Sequence, residues 1–241
     1  MKDLQTLQQY IDEAHRIVFF GGAGVSTESG VPDFRSVDGL YRQKWAYRPE
    51  TILSHTFFVG QTGEFYRFYK EKMLCLDVQP NAAHKKLAEL EAAGKLSAVI
   101  TQNIDGLHQA AGSERVLELH GSVHRNYCRN CGKAFDARYV KNAVEIPLCD
   151  ACGGVIKPDV VLYEEGLDRT VLENAMQAMR RADLLIIGGT SLAVYPAADL
   201  INFYNGLRIV LLNRDETPYD YLADLCIREP IGQVLGQVEV R

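Results

Sequence analysis

Four short apolar runs constrain this chain more than anything else in it: Arg16–Phe20, Ser97–Ile100, Leu184–Ile187 and Arg208–Leu212. None alternates with polar residues, so none offers a face to water. Strands of a parallel sheet read this way when helices cover both faces. Helical stripes lie between the runs. Leu4, Leu7, Ile11 and Ala14 recur at helical spacing before the first. Asn81 is placed to cap a helix through Ala93, with Leu87 and Leu90 inward and Gly94 as its stop. Leu172, Ala175, Met176 and Met179 form a further stripe just before the Leu184 run. Strands alternating with helices predict an α/β chain built on a doubly wound parallel sheet.

Two stretches break this rhythm. Residues 37–78 hold a loop and an aromatic helix around Glu64–Tyr69, and residues 126–156 hold four cysteines and little apolar content. Both read as insertions that together make a small second domain. The sheet domain is left with 1–36, 79–125 and 157–241. A length of 241 residues suits that division, and 47% hydrophobic with 24% charged residues excludes a disordered chain. The net charge of −5 lacks the basic footprint of a nucleic-acid or anionic-membrane binder. No apolar stretch approaches the roughly 18 residues of a membrane span. The opening MKDLQTLQQYIDEAH is too polar for a signal peptide. A cytoplasmic location is expected, with no nucleic-acid or membrane partner.

In a reducing compartment, close cysteine pairs read as metal ligands or redox groups before disulfides. Cys128-Arg-Asn-Cys131 and Cys149-Asp-Ala-Cys152 have the spacing of two zinc knuckles, each giving two thiolates toward one tetrahedron. Two disulfides or two redox pairs are the alternatives. Four thiolates close the shell, so a zinc ion here would be structural, stapling a segment with almost no apolar core. Cys75 and Cys226 stand alone.

The first run ends in Gly21-Gly22-Ala23-Gly24-Val25-Ser26-Thr27. A strand running into a glycine turn is what a dinucleotide fold requires, but Thr27 stands where the third fingerprint glycine would be. Phosphate cradle and ordinary tight turn both fit. The loop Gly30-Val31-Pro32-Asp33-Phe34-Arg35 adds an aromatic and a guanidinium, which suits a diphosphate. After the second run come Thr101-Gln102-Asn103-Ile104-Asp105-Gly106, at the strand end where α/β folds bind ligands. Helix capping by Asn103 or Asp105 is the plainer reading. Val116–Leu119 leads into His120-Gly121; a histidine at a strand end is a candidate general base, or a hydrogen-bonded structural residue. His15, His55, His84, His108 and His124 read as helix surface or loop.

GAGVS at 22–26, GVPDFR at 30–35, TQNID at 101–105, HG at 120–121, the two C-x-x-C pairs, KPDVV at 157–161 and GTSLAV at 189–194 together resemble the sirtuins, the NAD-dependent protein-lysine deacylases, in motif order and over nearly the whole chain. The resemblance implies a Rossmann-like domain with a small zinc-ribbon-plus-helical domain. NAD+, consumed as co-substrate, and an acetyl-lysine protein or peptide would meet in the cleft between them. It assigns Gly22, Ala23, Gly24, Thr27 and Arg35 to the diphosphate and Phe34 to the reactive ribose carbon. Ile104 and Asp105 would hold the nicotinamide carboxamide, and Gln102 and Asn103 its ribose. Gly189, Thr190 and Ser191 would bind phosphate and ribose, Asn213 the adenosine ribose, and Pro230 or Ile231 the adenine. His120, Asn103 and Asp105 would form the catalytic group. His120 acts as the base that lets a ribose hydroxyl attack an alkylimidate formed from the acyl oxygen and the sugar. The peptide would pair with Val160, Val161, Leu162 and Tyr163 on one side and Leu192 and Val194 on the other, strand-like edges whose plainer reading is core strand. Products would be nicotinamide, O-acetyl-ADP-ribose and free lysine, from a monomer. Mono-ADP-ribosyl transfer to protein shares the first step and is the nearest alternative. A non-catalytic NAD or ADP-ribose sensor would need no base at His120.

Two departures stand out. Many family members carry aromatic-Gly-Glu after the paired valines, whereas this chain has Tyr163-Glu164-Glu165. Sirtuins that remove acidic acyl groups share a Tyr-x-x-Arg pair, whereas Tyr66-Arg67-Phe68-Tyr69 ends in tyrosine. A buried acyl carboxylate would then lack its cation, so acetyl and other neutral acyl groups are expected.

Overall fold

A computed structural model describes residues 2–33 and 45–241. Phe34 and Arg35 lie outside the described residues. The strands among them are β1 (Ile17–Gly21), β2 (Leu96–Thr101), β3 (Val116–Glu118), β4 (Gly121–Cys128), β5 (Ala134–Phe135), β6 (Ile156–Val160), β7 (Leu184–Gly188), β8 (Arg208–Leu212) and β9 (Leu225–Ile227). Six form a parallel sheet in the order β3-β2-β1-β7-β8-β9. All four apolar runs are strands of it. Every residue of β1 and β7 is buried, as their lack of polar alternation requires.

Alternate residues of β1 serve opposite faces. Ile17 and Phe19 pack with Leu7, Ile11, Leu87 and Leu90; Val18 and Phe20 pack with Ala175, Met179, Leu185 and Ile187. Each such side chain contributes about 1.5–3 kcal/mol of burial free energy. The helices are those the stripes predict. Lys2–Glu13 buries Leu7 and Ile11. Ala82–Ala92 starts at Asn81, whose side chain accepts from the Ala83 N–H at 2.9 Å. The chain leaves that helix through Gly94 at φ 76°. Arg169–Arg181 is capped by Asp168, which accepts from the Val171 N–H at 2.8 Å.

A second, antiparallel sheet has the order β5-β4-β6. It packs on helices Pro49–Ile52, His55–Gly60 and Thr62–Phe68, the last continuing as a π-helical turn through Met73. Phe58, Phe65, Tyr66 and Tyr69 fill the space between them and Val123, Ile156 and Val160. This sheet runs from Gly121 to Val160, further than the 126–156 expected of the cysteine segment. β4 starts one residue after His120 and ends at Cys128. Gly121 permits that junction: at φ 76° it lies so close to β6 that a Cβ would sit 1.9 Å from the Asp159 carbonyl oxygen.

Leu192–Val194 is not a strand. Leu192 adopts φ 53° and its side chain is buried in the core, because the chain turns there under the Leu192 N–H to Thr190 Oγ1 bond of 3.2 Å. Leu192 therefore presents no strand edge or side chain to a peptide; of the two residues expected on that side, Val194 lines the cavity described next and Leu192 does not.

Candidate active site

In open parallel sheets, ligands bind beyond the carboxyl ends of the strands, where the strand order reverses. Here the reversal falls between β1 and β7. A cavity of about 630 Å³ opens there. Gly22, Ala23, Gly24 and Thr27 line it after β1, Gln102–Asp105 after β2, and His120 after β3. Gly189, Thr190 and Ser191 follow β7, Asn213 follows β8, and Pro230 and Ile231 follow β9. Val160, Val161, Leu162 and Tyr163 close it from the small-domain side.

The glycine turn and the β7 turn are locked together. Gly24 N–H donates to the Gly189 carbonyl at 2.8 Å, and a Cβ on Gly189 would lie 2.3 Å from the Val25 nitrogen. The Ala23 N–H takes no partner among the described residues. Unpaired backbone N–H in a backbone cradle too tight for side chains fits a diphosphate.

A polar network lies beneath. Ser26 Oγ donates to Asp105 Oδ2 at 2.6 Å and accepts from Asn103 Nδ2 at 3.1 Å. Asp105 Oδ1 accepts from the Leu107 N–H at 3.0 Å, so one carboxylate oxygen caps the short helix Leu107–Ala110 and the other faces Ser26. The bond to the Leu107 N–H agrees with the plainer, helix-start reading of Asp105, and Ser26 holds its second oxygen. His84 and His108 are buried below this network, not on a helix surface. His84 Nε2 lies 3.5 Å from Ser26 Oγ, and the two imidazoles meet edge to face at 4.7 Å. Burial pushes their pKa values down to about 4 and about 3, so both are neutral near pH 7.

His120 is oriented by its Nδ1–H, which donates to the Gln102 carbonyl at 2.9 Å. A carbonyl can only accept, so in the neutral ring the lone pair is on Nε2, which has no partner among the described residues. Burial holds the His120 pKa below its ordinary value of 6.5, against the opposing Gln102 bond. A neutral base works above its pKa. The acid limb of kcat/KM is therefore expected with its midpoint below pH 6.5, and a pH–rate profile that falls off only above that value contradicts the assignment.

The end of the cavity against the second sheet is apolar. Tyr69 and Ile104 line it beside Leu53, Val123 and Val160. Tyr66 donates to the Ile156 carbonyl, while Arg67 turns away to Glu64 and the face of Trp45. Lys72 also lines the cavity and is paired with Glu71 at 2.9 Å.

The four cysteines converge elsewhere. Their sulfurs all lie within 4.8 Å of one another, with Cys128–Cys152 at 3.4 Å and Cys131–Cys149 at 3.6 Å. A disulfide needs about 2.05 Å. A tetrahedron with Zn–S near 2.3 Å needs edges of about 3.8 Å. The donor set fits zinc and not the disulfide alternative.

The Sir2 family model matches residues 22–196. The chain belongs to the Sir2 family. It is 57% identical over 238 residues to an NAD-dependent protein deacetylase of Clostridium acetobutylicum, covering 98% of this chain and 97% of that one. The corresponding Clostridium tetani protein is 54% identical over 241 residues, covering 99% and 98%. Among solved structures, a Sir2 with a p53 peptide and NAD+ superposes with a TM-score of 0.85 at 39% identity, over 96% of this chain and 95% of that one. A Sir2 variant with deacetylated p53 peptide and 3'-O-acetyl-ADP-ribose reaches 0.90 at 38%, over 97% and 96%.

Proposed function

We propose that this chain is an NAD-dependent protein-lysine deacetylase whose cleft couples cleavage of NAD+ to removal of an acetyl group from lysine. The observation that carries this reading is the fixed His120, whose Nε2 lone pair is left for a cavity on which six strand ends converge. Binding alone needs no base at that place.

The residues divide the work as follows. The Gly22–Gly24 turn, Thr27 and Gly189–Ser191 hold the diphosphate and phosphate-side ribose. Asn213, Pro230 and Ile231 hold the adenosine end. Ile104 and Asp105 hold the carboxamide, with Ser26 fixing the Asp105 carboxylate. Gln102 and Asn103 face the nicotinamide-side ribose. Loss of nicotinamide leaves an electron-poor sugar carbon, which the acyl oxygen captures. His120 Nε2 then takes the proton of a ribose hydroxyl as it attacks the imidate carbon; the C–N bond breaks to release lysine as the amine, and water adds to the cyclic cation left on the sugar to give O-acetyl-ADP-ribose. Phe34 and Arg35 are assigned to the ribose and diphosphate on the family motif alone.

The peptide lies along Val160–Tyr163, with the Val161 carbonyl accepting the acyl-lysine N–H. The Val161 N–H is itself donated to the His120 carbonyl at 3.0 Å, which ties the peptide wall to the base. Zinc, held by Cys128, Cys131, Cys149 and Cys152, supplies a structural cross-link and no reacting position. The described residues contain no helix long and apolar enough to cross a membrane. We take the protein as a cytoplasmic monomer acting on neutral acyl groups.

Incubation with NAD+ and an acetyl-lysine peptide, followed by mass spectrometry, distinguishes the readings. The peptide should lose its acetyl group and ADP-ribose should gain it. Peptide carrying ADP-ribose would favour the transferase alternative, and bound but intact NAD+ the sensor.

A further inference from the structure

Building on the deacetylase reading, we propose that Glu164 makes this enzyme prefer acyl-lysine peptides with a lysine or arginine two to three residues from the modified one. The observation behind it is a carboxylate on the peptide wall that forms no ion pair among the described residues. The two walls flanking the peptide read Val160-Val161-Leu162-Tyr163-Glu164-Glu165 and Ser191-Leu192-Ala193-Val194-Tyr195-Pro196, and their only charged residues are the two glutamates.

The glutamates differ in their surroundings. Glu165 is occupied within the protein: it lies 2.8 Å from His55 Nδ1 and 3.0 Å from Lys157 Nζ, and accepts from the Leu162 N–H at 2.9 Å. Glu164 has no cation within ion-pair distance among the described residues. Its Oε2 accepts from Thr56 N–H at 2.9 Å and Thr56 Oγ1 at 2.7 Å, two neutral donors that fix the carboxylate in place and favour its ionised form. It is exposed and lines the cavity. Of the cavity-lining residues, Lys72 is paired with Glu71, and the nearby His55 Nδ1 is engaged by Glu165.

Glu164 sits at φ 77°, a conformation that costs any residue with a Cβ and would cost glycine nothing. The bonds to Thr56 do not explain the charge, because a glutamine oxygen would accept both. What the carboxylate adds is a fixed negative charge beside the groove. An extended peptide rises about 3.3 Å per residue. The wall turns beyond Val161, where the Glu165 N–H donates to the Leu162 carbonyl at 3.0 Å, so Glu164 stands at the end of the stretch beside the acyl-lysine, about three residues from Val161 and within reach of a long side chain two to three positions from the modified one. A basic side chain there meets Glu164; an acidic one is repelled.

The test compares kcat/KM for acetyl-lysine peptides that differ only by Lys, Ala or Glu at those positions. The wild type should favour the Lys peptide over the Glu peptide by about three- to fivefold at low ionic strength, the range expected of an exposed charge pair, with the ratio shrinking as salt is added. Glu164→Gln keeps the Thr56 acceptor and loses the charge, so the ratio should fall toward one. Glu164→Gly, which relieves the backbone, should give the same fall, so the test does not depend on one variant folding. A wild type indifferent to peptide charge, or a preference that survives both substitutions, overturns the proposal while leaving the deacetylase reading intact. Failure to turn over any of the three peptides overturns that reading, and the proposal with it.

Discussion

His120→Ala should lower deacetylation by about a hundred- to ten-thousand-fold, the usual contribution of a positioned general base, while the protein stays folded. The expectation follows from how the ring is held. Its Nδ1–H is committed to the Gln102 carbonyl, so Nε2 is the only basic atom it can offer. Removing the ring costs one hydrogen bond, about 1 kcal/mol, which corresponds to a melting shift of a few degrees. The neighbouring wall survives, because the Val161 N–H bonds to the backbone carbonyl of residue 120. NAD+ affinity, read by calorimetry, should therefore change far less than kcat. Full turnover in the variant would show that the proton leaves by another route. Asp105 would not be the obvious substitute, since both its oxygens already accept hydrogen bonds from Ser26 and Leu107.

Removing zinc should be the largest perturbation of stability. The β5-β4-β6 sheet reaches the cysteine cluster at Cys128, and Cys128 and Cys149 are buried against the same core as Phe58 and Ile156. The segment beyond them is thin: Val144 and Leu148 are exposed, so few apolar contacts would hold the knuckles without the metal. Structural zinc supplies folding free energy directly. Chelation, or Cys131→Ser with Cys149→Ser, should lower the melting temperature by about 10 °C or more, the equivalent of several kcal/mol for a chain of this size. Activity should fall in parallel, because β4 begins at the residue after His120. An unchanged melting curve in metal-free protein would remove the structural role.

Much of this was legible in the residues. The four apolar runs read as buried strands because they are short and do not alternate, and in a parallel sheet the residues that follow such strands gather at one end. Two C-x-x-C pairs carry their geometry in their spacing. Other features depend on contacts that sequence does not encode locally. β9 is three residues with Cys226 at its centre, too short for any period to show. His84 and His108 look like surface residues of short helices, yet tertiary packing turns them inward beneath Ser26. Leu192 reads as strand but takes a left-handed turn, because the Thr190 hydroxyl captures its N–H. Glu28 gives no signal alone, and accepts from the Gly232 N–H at 2.5 Å, tying the glycine turn to the last helix, Ile231–Gly236.

The most direct test is the stoichiometry of a single reaction. With NAD+ and an acetyl-lysine peptide, nicotinamide, deacetylated peptide and O-acetyl-ADP-ribose should appear one to one to one, and none should form when either substrate is left out. Nicotinamide released without a matching loss of acetyl groups, or acetyl groups lost without NAD+, would contradict the coupling of sugar cleavage to acyl transfer in this cleft.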